Sequence, residues 1–303
     1  MVITEYLDIK VVFTPVETGD GSSTFYSETF GEWFHSREGA RHEAQQTYVE
    51  TTRLARRSQR QRPADSPLKI LDICYGLGYN TAAALETIWR ANTCCKIEIK
   101  ALEIDIEVGR SAISHQLTQS YSADVQQVLL DLTTHFLAER DQLTAEILLG
   151  DARQQIQPLI ERGWQADVIF LDPFSPPHCP QLWTVEFLQL VARCLSPQSG
   201  ELVTYSCAAA VRSALRLAGL SIGSVRAGGR RWPGTIARDD SAKLPALSQQ
   251  EQEHLQTRAA VPYRDPTLRS SAEEILARRG QEQAISPLAP TGPWRRRWAA
   301  VSR

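Results

Sequence analysis

With 303 residues, 42% of them hydrophobic and 22% charged, and a net charge of −2, the chain has the composition of a globular protein. No stretch approaches 18 apolar residues and no basic segment leads into an apolar run, which argues against membrane spans and export and points to the cytoplasm. The six cysteines, Cys94 and Cys95 adjacent among them, show neither ligand nor disulfide spacing and read as mostly buried free thiols.

Residues 1–62 read as an N-terminal extension. Asp20-Gly21 is a hairpin-turn signal in the loosely alternating Asp20-Gly-Ser-Ser-Thr-Phe-Tyr-Ser27. Residues 37–58 read as a polar helix, and the basic run Arg53–Arg62 leads into the loop 62–67. From 63 to 240 strand and helix signals alternate. Strands are expected at 68–74, 96–104, 145–149, 166–171 and 201–205, with closing strands at 220–225 and 235–237. Helices are expected at 79–91, 106–117, 124–139, 153–162, 181–195 and 208–218. Such β-α repeats predict an α/β core with a mostly parallel, seven-stranded sheet covered by helices on both faces. Beyond 241 lies a C-terminal extension with a helix signal at 270–284 and the tail Trp294-Arg-Arg-Arg-Trp298. That tail reads equally as tryptophan packing or as RNA contact.

Charge is unevenly spread: residues 1–200 hold 17 Lys and Arg against 26 Asp and Glu, and residues 201–303 hold 16 against 9. A polyanion could therefore meet the C-terminal third, although a solvated basic face explains the excess equally well.

Ligands of parallel sheets bind beyond the C-terminal strand ends. There, Leu68-Lys-Ile-Leu-Asp-Ile-Cys-Tyr-Gly-Leu-Gly-Tyr-Asn80 runs from a strand into a turn where Gly76 and Gly78 permit a close backbone approach to a ligand. The third glycine of the dinucleotide pattern is replaced by Thr81, which disfavours a pyrophosphate. Glu103 at the next strand end is placed to accept both ribose hydroxyls, and Asp151 to accept from an adenine amine. Asp72 is placed to orient the ammonium end of an amino-acid-like cofactor. These positions favour S-adenosylmethionine, and no Gly-Lys-[Ser/Thr] follows the turn.

A second apolar strand, Ala166–Leu171, ends in Asp172-Pro-Phe-Ser-Pro176. Methylation of an amine needs a neutral nitrogen with its lone pair aimed at the methyl carbon. A carboxylate such as Asp172 can orient that nitrogen and take its proton, and a ring such as Phe174 can stack on a base. His35 and His178-Cys179 lack partners at ligand spacing, so no metal site is expected, and Gly-x-Ser-x-Gly is absent.

These residues resemble the methyltransferase domain of the bacterial tRNA 5-methylaminomethyl-2-thiouridine biosynthesis proteins, the MnmC family, and in particular its single-domain relatives. The resemblance rests on Asp20–Ser27 with Glu32-Trp-Phe-His-Ser36 and Gly39-Ala-Arg-His-Glu43, and on Asp72–Asn80. It rests also on Asp172–Pro176 with Leu182-Trp-Thr184, on Leu202–Tyr205 with Val211-Arg212 and Ala218-Gly-Leu220, on Gly228-Gly-Arg-Arg231, and on Pro262-Tyr-Arg-Asp-Pro266.

The resemblance implies a Rossmann-like class I S-adenosylmethionine-dependent methyltransferase that converts the 5-aminomethyl group of wobble uridine in tRNA to 5-methylaminomethyl. It also implies Asp172 as the catalytic aspartate and Asn80 as part of the glycine motif. Cys74, Tyr75 and Leu77 depart from the family's usual residues. The chain is expected to end before a flavin-dependent domain and to receive its aminomethyl substrate from another route. The expected partner is the anticodon region of tRNA, with neither DNA nor membrane, and a monomer fits. Arg230 and Arg231 beside Trp232 are the expected RNA contacts, and the Arg53–Arg62 run is the second candidate. The alternatives are a same-fold methyltransferase acting on a protein or small-molecule amine, and a nucleotide-binding module without catalysis. A dinucleotide oxidoreductase is disfavoured by the missing third glycine.

Overall fold

Leu68–Ile73 (β1) and Ile97–Glu103 (β2) pair in parallel with Leu68 opposite Ile97 and Ile73 opposite Leu102. They form the middle of an eight-stranded sheet. The other strands are Leu137–Arg140 (β3), Leu143–Leu149 (β4), Val168–Leu171 (β5), Glu201–Thr204 (β6), Ser221–Val225 (β7) and Gly234–Arg238 (β8). Their order across the sheet is β7-β8-β6-β5-β1-β2-β4-β3. The computed structural model describes residues 13–63, 66–197, 199–239 and 244–301, and all structural statements refer to these. The first twelve residues of the expected N-terminal extension lie outside them, as do residues 64–65 and 240–243 at its expected domain boundaries.

The sheet has both faces covered because successive side chains of its central strands point to opposite sides and both sets are apolar. Ile70, Ile99, Phe170 and Val203 enter one core with Leu85 and Ile88 of the helix Tyr79–Ala91. Leu71, Leu102, Ile169 and Leu202 enter the other with Phe187 and Val191 of Val185–Arg193 and Val211 and Leu215 of Ala209–Leu217. From β1 the chain moves one way through β2 to β4, then crosses to β5 and continues the other way. The rim between β1 and β5 is therefore the topological switch point, where such sheets bind ligands.

The parallel core follows the sequence pattern, with one strand more than the seven expected. The helix expected at 124–139 stops at His135, because Phe136 adopts a left-handed conformation with φ of 61°. Leu137–Arg140 then pairs antiparallel with β4. A phenylalanine in that conformation carries no glycine signal, so the break was hidden.

The helix expected at 37–58 is also broken. Ala40–Glu43 is α-helical, Ala44–Glu50 is a π-helix, and Leu54–Ser58 restarts after Arg53 at φ of 55°. Its inner side is not polar, since Tyr48, Val49 and Leu54 are buried. Hydrogen-bonded pairs Val16–Glu17 with Ser23–Thr24 and Tyr26–Ser27 with Glu32–Trp33 precede it.

The C-terminal extension packs on the core through helices Gln249–His254, Ala272–Ile285 and Thr291–Val301. The first was missed, although Ser248 and Glu251 form a capping box, as do Ser271 and Glu274 ahead of the second. Trp294 stacks on His254 at 3.9 Å and Trp298 Nε1 donates to Glu253, so both tail tryptophans pack against this helix. The cysteines are free thiols; Cys95, Cys179 and Cys194 are buried, and Cys94 is exposed. No helix among the described residues is long and apolar enough to cross a membrane, and no group of His, Cys, Asp and Glu converges to hold a metal.

Candidate active site

The ends of β1, β2, β4 and β5 open onto a cavity of about 740 Å³, the range of small-molecule and cofactor sites. Residues 26–37 of the N-terminal extension form the facing wall. At the glycine turn, Gly76 and Gly78 have φ of 53° and 84°, and a Cβ on Gly78 would meet the Tyr75 hydroxyl at 2.8 Å. Cys74 takes the same left-handed region at φ of 72° without being a glycine. That conformation costs roughly 1–2 kcal/mol for an L-residue. Two backbone bonds hold it, from the Cys74 and Tyr75 N–H groups to the Leu102 carbonyl at 3.0 and 3.1 Å.

Glu103 is bound from three sides. Its carboxylate accepts from the N–H groups of Gly76 at 2.7 Å, Ile104 at 2.7 Å and Asp105 at 2.8 Å. Burial nevertheless pushes its pKa up against these bonds. A carboxylate has about four acceptor positions, so about one remains, on Oε2. One ribose hydroxyl fits as the structure stands, and a second would displace a backbone donor.

Asp151 is likewise engaged. Arg153 donates to it through the backbone N–H at 2.9 Å and through Nε and Nη2, and reaches on to Asp265 at 2.9 Å and the Ser270 carbonyl. An adenine amine would share Asp151 with a guanidinium. Arg153 thus ties the cofactor rim to the C-terminal extension, a link that no single motif announced.

Asp72 and Asn80 lie beneath the cavity, not on its wall. Asp72 is fully buried and accepts from Thr81 Oγ1 at 2.7 Å, while its other oxygen has no protein partner. Burial pushes its pKa up to about 8, with the charges of Asp172 and Glu103 adding to the rise. Asn80, expected with the cofactor residues, donates through Nδ2 to Asp172 at 2.8 Å and serves the reacting edge instead.

Asp172 stands beside the glycine turn because β5 is in register with β1, and its N–H donates to the Ile73 carbonyl at 3.1 Å. Its turn is buttressed: Tyr205 donates to the Pro173 carbonyl and Trp183 to the Phe174 carbonyl, each at 2.8 Å. Ser175 donates to Glu32. Desolvation first, and then the charge of Glu43, push the Asp172 pKa up to about 7, against the pull of Asn80 and Arg230. The Tyr48 hydroxyl faces the same carboxyl without completing a hydrogen bond of normal geometry. Phe174 stacks on Phe30 at 4.4 Å and meets Phe34 edge-on at 4.9 Å, giving an aromatic wall next to the carboxyl.

The expected RNA trio is split. Arg230 turns into the cavity, where its Nε donates to buried Glu43 and its guanidinium lies 4.1 Å over the Tyr205 ring. Arg231 and Trp232 stay exposed. His35 lies 3.8 Å from Glu43, and burial lowers its pKa to about 4, so it is neutral near pH 7. Glu43, Tyr48, Glu32 and Arg153 were missed as site residues by chemical reasoning. The first and third lay within the N-terminal stretches that carried the resemblance.

The wall carries Glu28, Glu32, Glu103, Asp105, Asp151 and Asp172, against Arg37, Arg153 and Arg230. That surplus of carboxylates suits a cationic sulfonium and ammonium and opposes a pyrophosphate. The last acceptor position of Glu103 fits a polar group of the same cofactor, whereas Asp72, expected to orient its ammonium end, is buried beneath the wall.

Comparison with known proteins agrees. The family model described as S-adenosyl-L-methionine-dependent methyltransferase matches residues 92–240. MnmC2 from Aquifex aeolicus, a solved structure, aligns with a TM-score of 0.78 at 30% identity, over 92% of this chain and 87% of that one. An uncharacterized protein of Methanocaldococcus jannaschii is 28% identical over 283 residues, covering 91% of this chain and 74% of that protein. The tRNA 5-methylaminomethyl-2-thiouridine biosynthesis bifunctional protein MnmC of Polaromonas naphthalenivorans is 25% identical over 236 residues. The chain spans 34% of that bifunctional protein. The fold is that of a methyltransferase, and S-adenosyl-L-methionine is its cofactor.

Proposed function

We propose that this chain, which belongs to the MnmC-like S-adenosyl-L-methionine-dependent methyltransferases, methylates the 5-aminomethyl group of wobble uridine in tRNA. The product would be the 5-methylaminomethyl base, with or without 2-thiolation. The observation that carries this reading is the Asp172 carboxyl, held by Asn80 and raised toward neutrality at the mouth of a carboxylate-rich cavity beside Phe30 and Phe174.

When bound, the cofactor supplies an electrophilic methyl on a sulfonium. Glu103 and the Gly76–Gly78 turn would hold its nucleoside part, and the acidic rim would accommodate its positive charges. The substrate amine arrives largely as an ammonium, which has no lone pair to offer. Asp172 is basic enough to take a proton from that ammonium and close enough to neutrality to release it afterwards. Its free acceptor positions orient the remaining N–H bonds, so that the lone pair points into the cavity. Phe174 and Phe30 offer a face on which an unstacked uracil can lie, and they exclude water from the reacting nitrogen.

The test is transfer of a labelled methyl group to tRNA carrying 5-aminomethyl uridine, followed by nucleoside analysis. Label in 5-methylaminomethyl uridine is expected. Label found only in protein or small amines would overturn the reading.

A further inference from the structure

A second cavity, of about 270 Å³, lies at the opposite end of the sheet, where β6 begins at Glu201. Its walls are Arg53, Arg56, Arg57, Arg60 and Arg238 with Ser199 and Glu201, five guanidinium groups against one carboxylate among the described residues. Glu201 is buried and already paired, with Arg53 at 2.6 Å, Arg57 at 2.8 Å and Arg238 at 3.2 Å. Arg56 and Arg60 are exposed and have no acidic partner within 4.0 Å among the described residues. Partial desolvation and repulsion from Arg57, Arg56 and Arg53 hold the Arg60 pKa below its usual range, the mark of an uncompensated positive field.

The backbone aims these side chains together. Arg53 sits at φ of 55°, outside the helical region, and restarts the helix so that Arg53, Arg56, Arg57 and Arg60 face one hollow. Backbone strain of this kind persists where the surroundings enforce it, often at binding sites. The same broken rod carries Glu43 and Tyr48 to the reacting edge at its other end. Along this broken rod Arg57 lies 14 positions after Glu43, a span on the order of 20 Å at the α-helical rise, about six base-pair steps of a nucleic-acid stem.

We infer that this arginine-lined cavity binds a phosphate group, and that in the working complex the group belongs to the backbone of the RNA whose base enters the cofactor cavity. Its distance from the reacting edge suits a stem-loop, with the loop base in one cavity and a stem phosphate in the other. A guanidinium fork matches a phosphate in shape and charge better than any lysine, and the two unpaired arginines supply the surplus charge. The assignment to RNA rests on the proposed tRNA substrate, whereas the phosphate site stands on its own lining.

The experiment uses the full chain and its Arg56→Gln/Arg60→Gln double variant, since neither side chain holds Glu201. Binding of labelled unmodified tRNA is followed by fluorescence anisotropy across a salt series, and binding of pyrophosphate by calorimetry. The variant is expected to melt like the parent and to bind S-adenosylhomocysteine unchanged. It should lose pyrophosphate binding and about ten-fold or more in tRNA affinity, and the slope of log K against log salt should fall by about one to two. Loss of pyrophosphate binding with unaltered tRNA affinity and slope would overturn the RNA assignment and leave a site for a free phosphate. Unaltered binding of both would overturn the site. Failure of methyl transfer to tRNA, with these binding losses still observed, would remove the proposed substrate and not the cavity.

Discussion

The two rims of the central cavity are made by different means. On the cofactor side, at β1 and β2, the acidic groups are held by their own neighbourhood: Glu103 by three backbone N–H groups within 30 residues of it, and Asp151 by Arg153 two positions on. On the reacting side, Asp172 draws its environment from across the chain: Asn80, Tyr48, Glu43 and Arg230. The first rim is held by nearby donors, with about one acceptor position left on Glu103. The second is undersatisfied, and the pKa of its carboxyl stays near neutrality because burial first, and then the like charge of Glu43, outweigh Tyr48, Asn80 and Arg230.

The largest effect that separates the rims is expected from Asp172→Asn. Methyl transfer should fall by at least about 10²-fold, since a general base is removed. Affinity for S-adenosylhomocysteine, read by calorimetry, should stay within a few-fold. A comparable loss of both would merge the two rims into one. The converse test is Glu103→Ala, which strands three backbone donors and removes the ribose acceptor. Cofactor affinity should drop roughly 10- to 100-fold, the worth of hydrogen bonds to a charged group. If transfer at saturating cofactor fell equally, Glu103 would belong to the chemistry as well.

Glu43→Gln sharpens the comparison through pH. Transfer needs the Asp172 carboxylate, so the parent's rate should rise as pH passes about 7. The Glu43 charge raises that pKa, and its removal should move the midpoint of the pH-rate profile down by about one unit. An unmoved midpoint would show that burial alone sets it.

A smaller effect concerns Asp72. Its pKa is raised in the fold to about 8 from the ordinary 3.8, so the unfolded chain is ionised where the native state still holds a proton. Stability from this group is full below about pH 4 and is lost as pH rises through about 8. Asp72→Asn should therefore match the parent's melting temperature near pH 4 and exceed it by about 2 °C or more at pH 9. A constant offset across that range would deny the buried, protonated state.

This asymmetry also explains what could be read from the sequence. The parallel core and the Gly76–Gly78 turn were visible because their signals are local: apolar runs, the spacing of helices, and two glycines at positive φ. Asp172 was visible because it closes an apolar strand. Its partners were not, since nothing in the sequence places Tyr48 or Glu43 next to a residue more than a hundred positions on. Asn80 was assigned to the cofactor because it follows the glycines, but the first turn of its helix aims it across the switch point at Asp172. Arg230 reads as an RNA contact from its place beside Arg231 and Trp232, but a buried acid captures it.

One consequence of the strand order concerns synthesis. β8 inserts between β6 and β7, pairing antiparallel with both, and all five of its residues are buried. A chain leaving the ribosome has therefore made β1 to β6, all four residues of β6 buried in the finished fold, before the strand that covers the β6 edge exists. At about 5–20 residues per second, the stretch from Thr204 to Arg238 keeps that edge open for seconds. Until Arg238 has emerged, the half-built sheet offers its apolar border to any neighbouring strand.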